Sequence, residues 1–260
     1  MAKTILITGA TDGIGLLTAK MLADQGHKIL LHGRNASKLD AAVKEVGGDV
    51  HAYKADLSSL SETAALADEL KTNHDSLDVI INNAGVLKTP NPYLPDGQDV
   101  RFVVNTLAPY VLVKALLPII PKDGRILNLS SAAQAPIDID SLMGKRRLDD
   151  MEAYSQSKLA ITIWSQQMAK ELPDGPIVIA VNPGSLLASK MVKEGFGIAG
   201  NDLTIGADIL CRLALDDAHA GDTGKYWDND SGRFAAPNSA AANPSHVKAV
   251  MNAIDGLTGR

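Results

Sequence analysis

The segment from Lys3 to Leu22, KTILITGATDGIGLLTAKML, limits the possible folds more than any other stretch of the chain. Thr4, Ile5, Leu6 and Ile7 form a β-branched, apolar run with almost no polar interruption, the pattern of a strand covered on both faces in a parallel sheet. A helix pattern follows at once. Ile14, Leu17 and Leu22 share one stripe, broadened by Leu16, Ala19, Met21 and Ala23, while Lys20, Asp24 and Gln25 face outward. Gly9, Gly13 and Gly15 lie between strand and helix, spaced T-G-x-x-x-G-x-G rather than G-x-G-x-x-G. Glycine there permits positive φ and lets a pyrophosphate approach the backbone, and a helix amino end offers N–H donors with partial positive charge. A tight turn that needs glycine only for sterics has the same spelling. This turn, however, belongs to the first βα unit, and in doubly wound sheets that crevice holds dinucleotides.

The remaining sequence alternates strand and helix patterns without a linker-like break. Strands are expected at 28–32, 50–54, 77–82, 125–131, 177–182 and 224–227, and helices at 37–46, 61–72, 98–117, 154–172 and within 201–216. The alternation predicts one α/β domain over residues 1–260, a doubly wound sheet, mostly or wholly parallel, of about seven strands with helices on both faces. A formal charge of −5 gives no global electrostatic case for nucleic acid or an anionic membrane as partner. No window reaches the roughly 18 consecutive apolar residues of a membrane span. The amino end lacks the charged, apolar and cleavage regions of a signal peptide, since Gly9 and Asp12 interrupt its apolar run. Cys211, the lone cysteine, sits in ADILCRLAL as a small core residue and cannot form an internal disulfide. These features lead to the expectation of a cytoplasmic protein and leave homo-oligomerisation open. The histidines at 27, 32, 51, 74, 219 and 246 show no ligand spacing, so no metal is expected. Tyr226 and Trp227 read as core.

Three clusters fall at the carboxyl ends of expected strands, where ligands bind in such a sheet. Asn82-Asn83-Ala84-Gly85 follows the fourth strand, with residue types that also suit an ordinary turn. Asn128-Leu129-Ser130-Ser131 ends the fifth, where serines can simply satisfy backbone groups. Tyr154-Ser155-Gln156-Ser157-Lys158 places a phenol and an ammonium at i and i+4 on one helix face. As a surface pair they mean little. A lysine held beside a phenol stabilises the phenolate and makes the tyrosine a usable acid or base.

Taken in order, Thr8-Gly9 with Gly13 and Gly15, Asn82 to Gly85, Asn105, Ser131, and Tyr154 with Lys158 resemble the short-chain dehydrogenase/reductase family, and the match extends to Pro183-Gly184. The resemblance implies a Rossmann-like fold and a nicotinamide dinucleotide. It further implies that Tyr154 exchanges a proton with the substrate oxygen and that Ser131 hydrogen-bonds the same oxygen. Lys158 binds the nicotinamide ribose and lowers the tyrosine pKa, and Asn105 holds a water in the proton relay. Ser131 is chosen over Ser130 because family sequences place the active serine second in such pairs. By the same resemblance the cofactor lies against Gly9, Thr11, Asp12, Gly13, Ile14 and Gly15, then Arg34 and Asn35. It continues past Asp56 and Leu57, Asn83, Ala84 and Gly85, Tyr154 and Lys158, to Pro183, Gly184 and Ser189. Asp56 contacts the adenine through its side chain.

Two departures from the family pattern stand out. Ser131 and Tyr154 lie 23 positions apart, further than in the commonest pattern, with an insertion near 136–152 containing IDIDSLMGKRRLDDME. This spacing and QSKLA at 156–160 resemble the retinol-dehydrogenase, WW-domain-oxidoreductase and protochlorophyllide-reductase-like branch. The insertion is expected to fold over the entrance. Its Lys145, Arg146 and Arg147 either bind an anionic group or form a solvated charge run, the commoner case. Secondly, Ala188 stands where many members carry a threonine for the nicotinamide amide, and Ser189 is the candidate substitute. Gly195, Gly197 and Gly200 interrupt a helical pattern over 189–202 and supply hinges, so this stretch is expected to be a lid with Met191, Val192 and Phe196 covering substrate.

The end of the second strand reads Leu31-His32-Gly33-Arg34-Asn35. NAD-selective relatives carry an acid where Gly33 stands, and the guanidinium of Arg34 matches a 2′-phosphate, so NADP(H) is expected over NAD(H), with Asn35 as an added donor. Asp12, at a position often basic in NADP-dependent relatives, pulls the other way. The leading function is interconversion of a carbonyl and an alcohol on a small or medium apolar substrate. Reduction of an activated C=C bond and non-catalytic dinucleotide sensing are the alternatives, and the complete Asn105, Ser131, Tyr154 and Lys158 set argues against the last.

Overall fold

Successive strand residues point to opposite faces, so a strand with core on both sides must be apolar throughout. Leu6, Leu30, Ile80, Ile126 and Val178 enter one core, and Ile5, Ile7, Leu31, Ile81, Leu127 and Ile179 enter the other. The computed structural model describes residues 1–259, apart from the side chains of Lys190, Glu194 and Phe196. In order, β1 (Thr4–Ile7), α1 (Gly13–Asp24), β2 (Lys28–Gly33), α2 (Ala36–Val46), β3 (Val50–Lys54), α3 (Leu60–Asn73) and β4 (Val79–Asn82) build one half. The short α4 (Val100–Phe102) passes through a π-helical stretch (Val103–Leu107) into α5 (Ala108–Leu116). The second half continues with β5 (Arg125–Leu129), α6 (Ile139–Leu142), α7 (Asp150–Glu171), β6 (Ile177–Asn182), α8 (Lys190–Phe196) and α9 (Thr204–Leu215). It ends with β7 (Tyr226–Asp228), β8 (Arg233–Ala235) and α10 (Pro244–Thr258).

The sheet order is β3-β2-β1-β4-β5-β6-β7-β8, parallel except for β8, which pairs antiparallel with β7. Seven strands were expected. The eighth, RFA, is too short to carry a pattern of its own. α10 was not foreseen either, and it buries Val250, Ala253 and Ile254 against the α5 and α7 layer. Chain order reverses between β1 and β4, which opens a crevice at their carboxyl ends.

In α1 the buried positions are Gly15, Thr18, Ala19 and Leu22, not the Ile14-Leu17-Leu22 stripe, because small residues let the helix approach the sheet closely. The run Val100–Ile119 is long and apolar enough to cross a membrane by length and composition, with mean hydropathy 1.7. It is nevertheless a core helix, since 72% of that window is buried inside the protein, and its Arg101 is held by Asp99 and Asp150.

Candidate active site

The glycine turn closes on the segment after β4. Gly9 and Gly13 take φ of +64° and +56°, which side chains resist. A Cβ at Gly15 would stand 2.4 Å from Asn83 Nδ2, an atom that already donates to the carbonyls of Thr8 (2.9 Å) and Gly9 (3.0 Å). The Ala84 N–H bonds Thr8 Oγ1 at 3.1 Å. Asn83 and Ala84 therefore fasten the turn as well as border the crevice. Gly13 faces open space, where an added Cβ would meet only Ser189 Cβ at 3.8 Å. Side chains cap α2, α3, α7 and α10 at their amino ends, whereas Asp12 makes no capping bond to α1. An uncapped helix start behind an open glycine suits a phosphate group.

His32, passed over in the sequence for want of a metal-ligand partner, locks the turn from below. Its Nδ1 accepts from the Gly9 N–H at 3.3 Å, so Nε2 carries the proton and donates to the Ala55 carbonyl at 3.1 Å. Burial pushes its pKa down to about 4, and the ring stays neutral. Its position in an apolar strand, directly before Gly33 and Arg34, was the available signal.

At the end of β2, a Cβ on Gly33 would lie 2.4 Å from the Thr11 methyl, so an acid there would have to displace Thr11. Arg34 is exposed. Asn35 caps α2, its Oδ1 accepting from Lys38 N–H at 3.0 Å. That oxygen is committed to the helix. Lys38 Nζ stands 3.7 Å from Asp12 Oδ2, an exposed pair that partly offsets this acid. Asp56 spends one carboxylate oxygen on the Ser58 N–H and hydroxyl (2.9 and 2.8 Å), Leu57 is buried, and Ile14 packs toward Gly206 of α9.

The reactive groups converge past β5. Ser130 faces inward and donates to the Lys158 carbonyl at 2.9 Å, whereas Ser131 hydrogen-bonds Tyr154. Ser131 Oγ accepts the Ala133 N–H at 3.1 Å, which leaves its own proton to give. Lys158 is 4% exposed; its ammonium donates to the Leu129 carbonyl at 2.7 Å and sits 5.5 Å from the centre of the Tyr154 ring. The expected lowering of the tyrosine pKa is reversed. Burial raises the phenol above its usual 10, only partly countered by Ser131, and burial lowers Lys158 to about 8. The lysine lies over the ring face rather than at the hydroxyl, so desolvation outweighs attraction.

Asn105 sits in the π-helical stretch. Its Oδ1 accepts the Val86 N–H (2.8 Å), and its Nδ2 donates to the Val86 carbonyl (3.0 Å) and to Ser157 Oγ (2.9 Å). The side chain is thus fully used in clamping the strand-four loop to α7. Pro109, four residues on, has no N–H to give to the Asn105 carbonyl, in keeping with the wider π-helical turn at this point.

Gly184, at φ +126°, follows Pro183 after β6, and Ser189 caps α8 by accepting from Val192 N–H at 3.3 Å. Ser189 lies beside Gly13 of the glycine turn. Met191 is the residue that reaches Gly85, where an added Cβ would touch Met191 Cε, Asn105 Oδ1 and Lys158 Nζ, each at 3.5 Å. Gly195 lies inside α8 with Leu87 Cδ2 2.7 Å from where its Cβ would be. Gly197 ends the helix in the left-handed region, and the side chain of Phe196 lies outside the described residues. In the insertion, Arg146 pairs with Asp138 at 2.9 Å, Lys145 with Asp140 at 3.7 Å, and Arg147 stacks 4.7 Å from the Tyr93 ring centre. All three cations have partners within the chain.

Residues 3–196 match the profile of a family described as short chain dehydrogenase. Human retinol dehydrogenase 13 is 32% identical over 91% of this chain and 79% of its own length. A metagenomic short-chain oxidoreductase solved in complex with NADP is 30% identical, with a TM-score of 0.64 over 82% of this chain and 90% of its own. An uncharacterised protein from Mycobacterium paratuberculosis, 28% identical, superposes with a TM-score of 0.82 over 99% of this chain and 93% of its own.

Proposed function

The chain belongs to the short chain dehydrogenase family, and from that premise we propose that it reduces the carbonyl of an apolar substrate with NADPH, Tyr154 giving the proton. The observation that carries this reading is the meeting of Ser131, Tyr154 and Lys158 at the carboxyl end of β5, across from an uncapped α1. When bound, the reduced dinucleotide supplies a hydride. Burial raises the phenol pKa and keeps Tyr154 in the protonated form that can give a proton. Ser131, with its acceptor side taken by Ala133, directs its O–H toward the same substrate oxygen. Lys158 uses one donor on Leu129 and keeps others for ribose hydroxyls and for a water through which Tyr154 is reprotonated.

Arg34, the Lys38 partner of Asp12 and the crowding by Thr11 of any acid at residue 33 support NADPH, as does the NADP bound by the metagenomic relative. The similarity to retinol dehydrogenase 13, together with the long Ser131 to Tyr154 spacing, supports placement in the retinol-dehydrogenase-like branch. Exposed Leu186 and Ile205 beside the loop after β6 favour an apolar substrate. The test follows NADPH absorbance with ketones, aldehydes and enones. Ketone or aldehyde turnover is expected; turnover of enones alone would move the reading to C=C reduction. Tyr154→Phe should keep NADPH affinity and lose about 10² to 10⁴-fold in kcat. Retained turnover would remove Tyr154 from this role.

A further inference from the structure

Pairing in β5 stops at Leu129, two residues before Ser131, so the sheet alone does not fix the serine. Its carbonyl is instead gripped by two donors. Tyr226 Oη lies 3.0 Å away and Gln134 Nε2 also 3.0 Å, with Gln134 held in turn by the Asn238 N–H on its Oε1 at 2.9 Å. Tyr226 is buried on β7, and burial, followed by Asp228 and Asp230, raises its pKa, so the phenol is a standing donor. The same hairpin holds the other wall of the cleft. Asp230 accepts the Ser185 N–H (2.8 Å), the Ser185 hydroxyl (2.5 Å) and Asn182 Nδ2 (2.9 Å), while Asn229 Nδ2 donates to the Pro183 carbonyl at 3.0 Å. An open pocket of about 260 Å³ is lined by Ala132, Gln134, Tyr226, Asp228 and Asp230, beside the bonds that hold the Ser131 arm. Every hairpin residue named here lies beyond the 3–196 stretch that matches the family.

We propose that the β7–β8 hairpin is a positioning element for the reaction, Tyr226 setting the backbone of Ser131 and Asp230 setting the Pro183-Gly184-Ser185 loop against which the cofactor lies. The proposal rests on the role given to Ser131 above. Neither residue touches the reacting atoms, so the two arms separate kinetically. Tyr226→Phe, which deletes one hydroxyl, should lower kcat about 3- to 10-fold, the size of one lost neutral hydrogen bond. It should leave the NADPH Kd, read by fluorescence titration, within twofold. In a Ser131→Ala background the same substitution should cost nothing more. Asp230→Asn should weaken NADPH binding several-fold and leave saturated kcat within twofold. Hydrogen exchange read without substrate should quicken over 130–135 in Tyr226→Phe and over 183–187 in Asp230→Asn, each change confined to its own arm. Exchange that changes as expected, in a protein that reduces no carbonyl, upholds the brace and overturns the oxidoreductase role of Ser131. Unchanged exchange with unchanged kcat, or losses in kcat and affinity that track melting temperature in both variants, overturns the brace.

Discussion

His32 gives the glycine turn a pH dependence that the glycines lack. The unfolded chain takes up the His32 proton near pH 6.5 and the folded chain only near 4, so between these values the unfolded state binds more protons. Stability from this residue is complete above pH 6.5 and lost as pH falls through 4, in total roughly 3 kcal/mol. Urea melts of the wild type at pH 4.5 and 7 should show most of that slope, and His32→Gln should flatten it; an equal slope in both proteins would place the acid sensitivity elsewhere. Arg34 supports a second expectation. A hydrogen bond to a charged group is worth about 1.5 to 3 kcal/mol, so Arg34→Ala should raise KM for NADPH by about tenfold or more and barely change that for NADH. Equal harm to both cofactors would show that Arg34 does not read the phosphate. Asn105 and Lys158 both prove to be anchored by bonds that a motif does not display, one to Val86 and one to Leu129.

Among the elements, α8 departs most from its sequence reading. Of the glycines expected to supply hinges, one lies inside the helix and one caps it. What ties the segment down is the pairing of its two ends: Ala188 N–H to the Asn201 carbonyl and Asn201 N–H to the Leu186 carbonyl, both 2.7 Å. Gly200 closes that pairing at φ +82°, where a Cβ would stand 2.7 Å from backbone atoms of Ala188. Leu186, at φ +53°, carries strain in the same turn. Gly200→Ala should therefore release the base of the segment and speed amide exchange over 189–202 by about tenfold. Gly195→Ala, which meets only the movable end of Leu87, should be milder. If the segment is a lid, NADPH with a bound inhibitor slows its exchange in the wild type; unchanged exchange would make it an ordinary surface loop.

At the scale of the whole molecule, the crevice joins both halves of the sheet, so a ligand seated there stabilises the entire fold by mass action. At a hundredfold excess over Kd the gain is about 2.7 kcal/mol, or roughly 5 to 10 °C in Tm for a chain of this size. NADPH should produce that rise and NADH at equal concentration a smaller one; equal rises would contradict the selectivity assigned to Arg34. The sequence by itself determined the alternation of β1 to β6 with their helices, because strands covered on both faces must be apolar at nearly every position and helices must repeat near 3.6 residues. It also marked the glycine turn and the Tyr154–Lys158 pair, while Asn105 and Ser131 were marked only through the ordered resemblance to the family. Only the tertiary structure decided the pKa of Tyr154, the neutral state of His32, the pairing of Lys145, Arg146 and Arg147, and the grip of Tyr226 and Asp230 on the cleft. Those depend on desolvation and on contacts between residues up to 95 positions apart, such as Tyr226 and Ser131, and a local pattern carries no record of either.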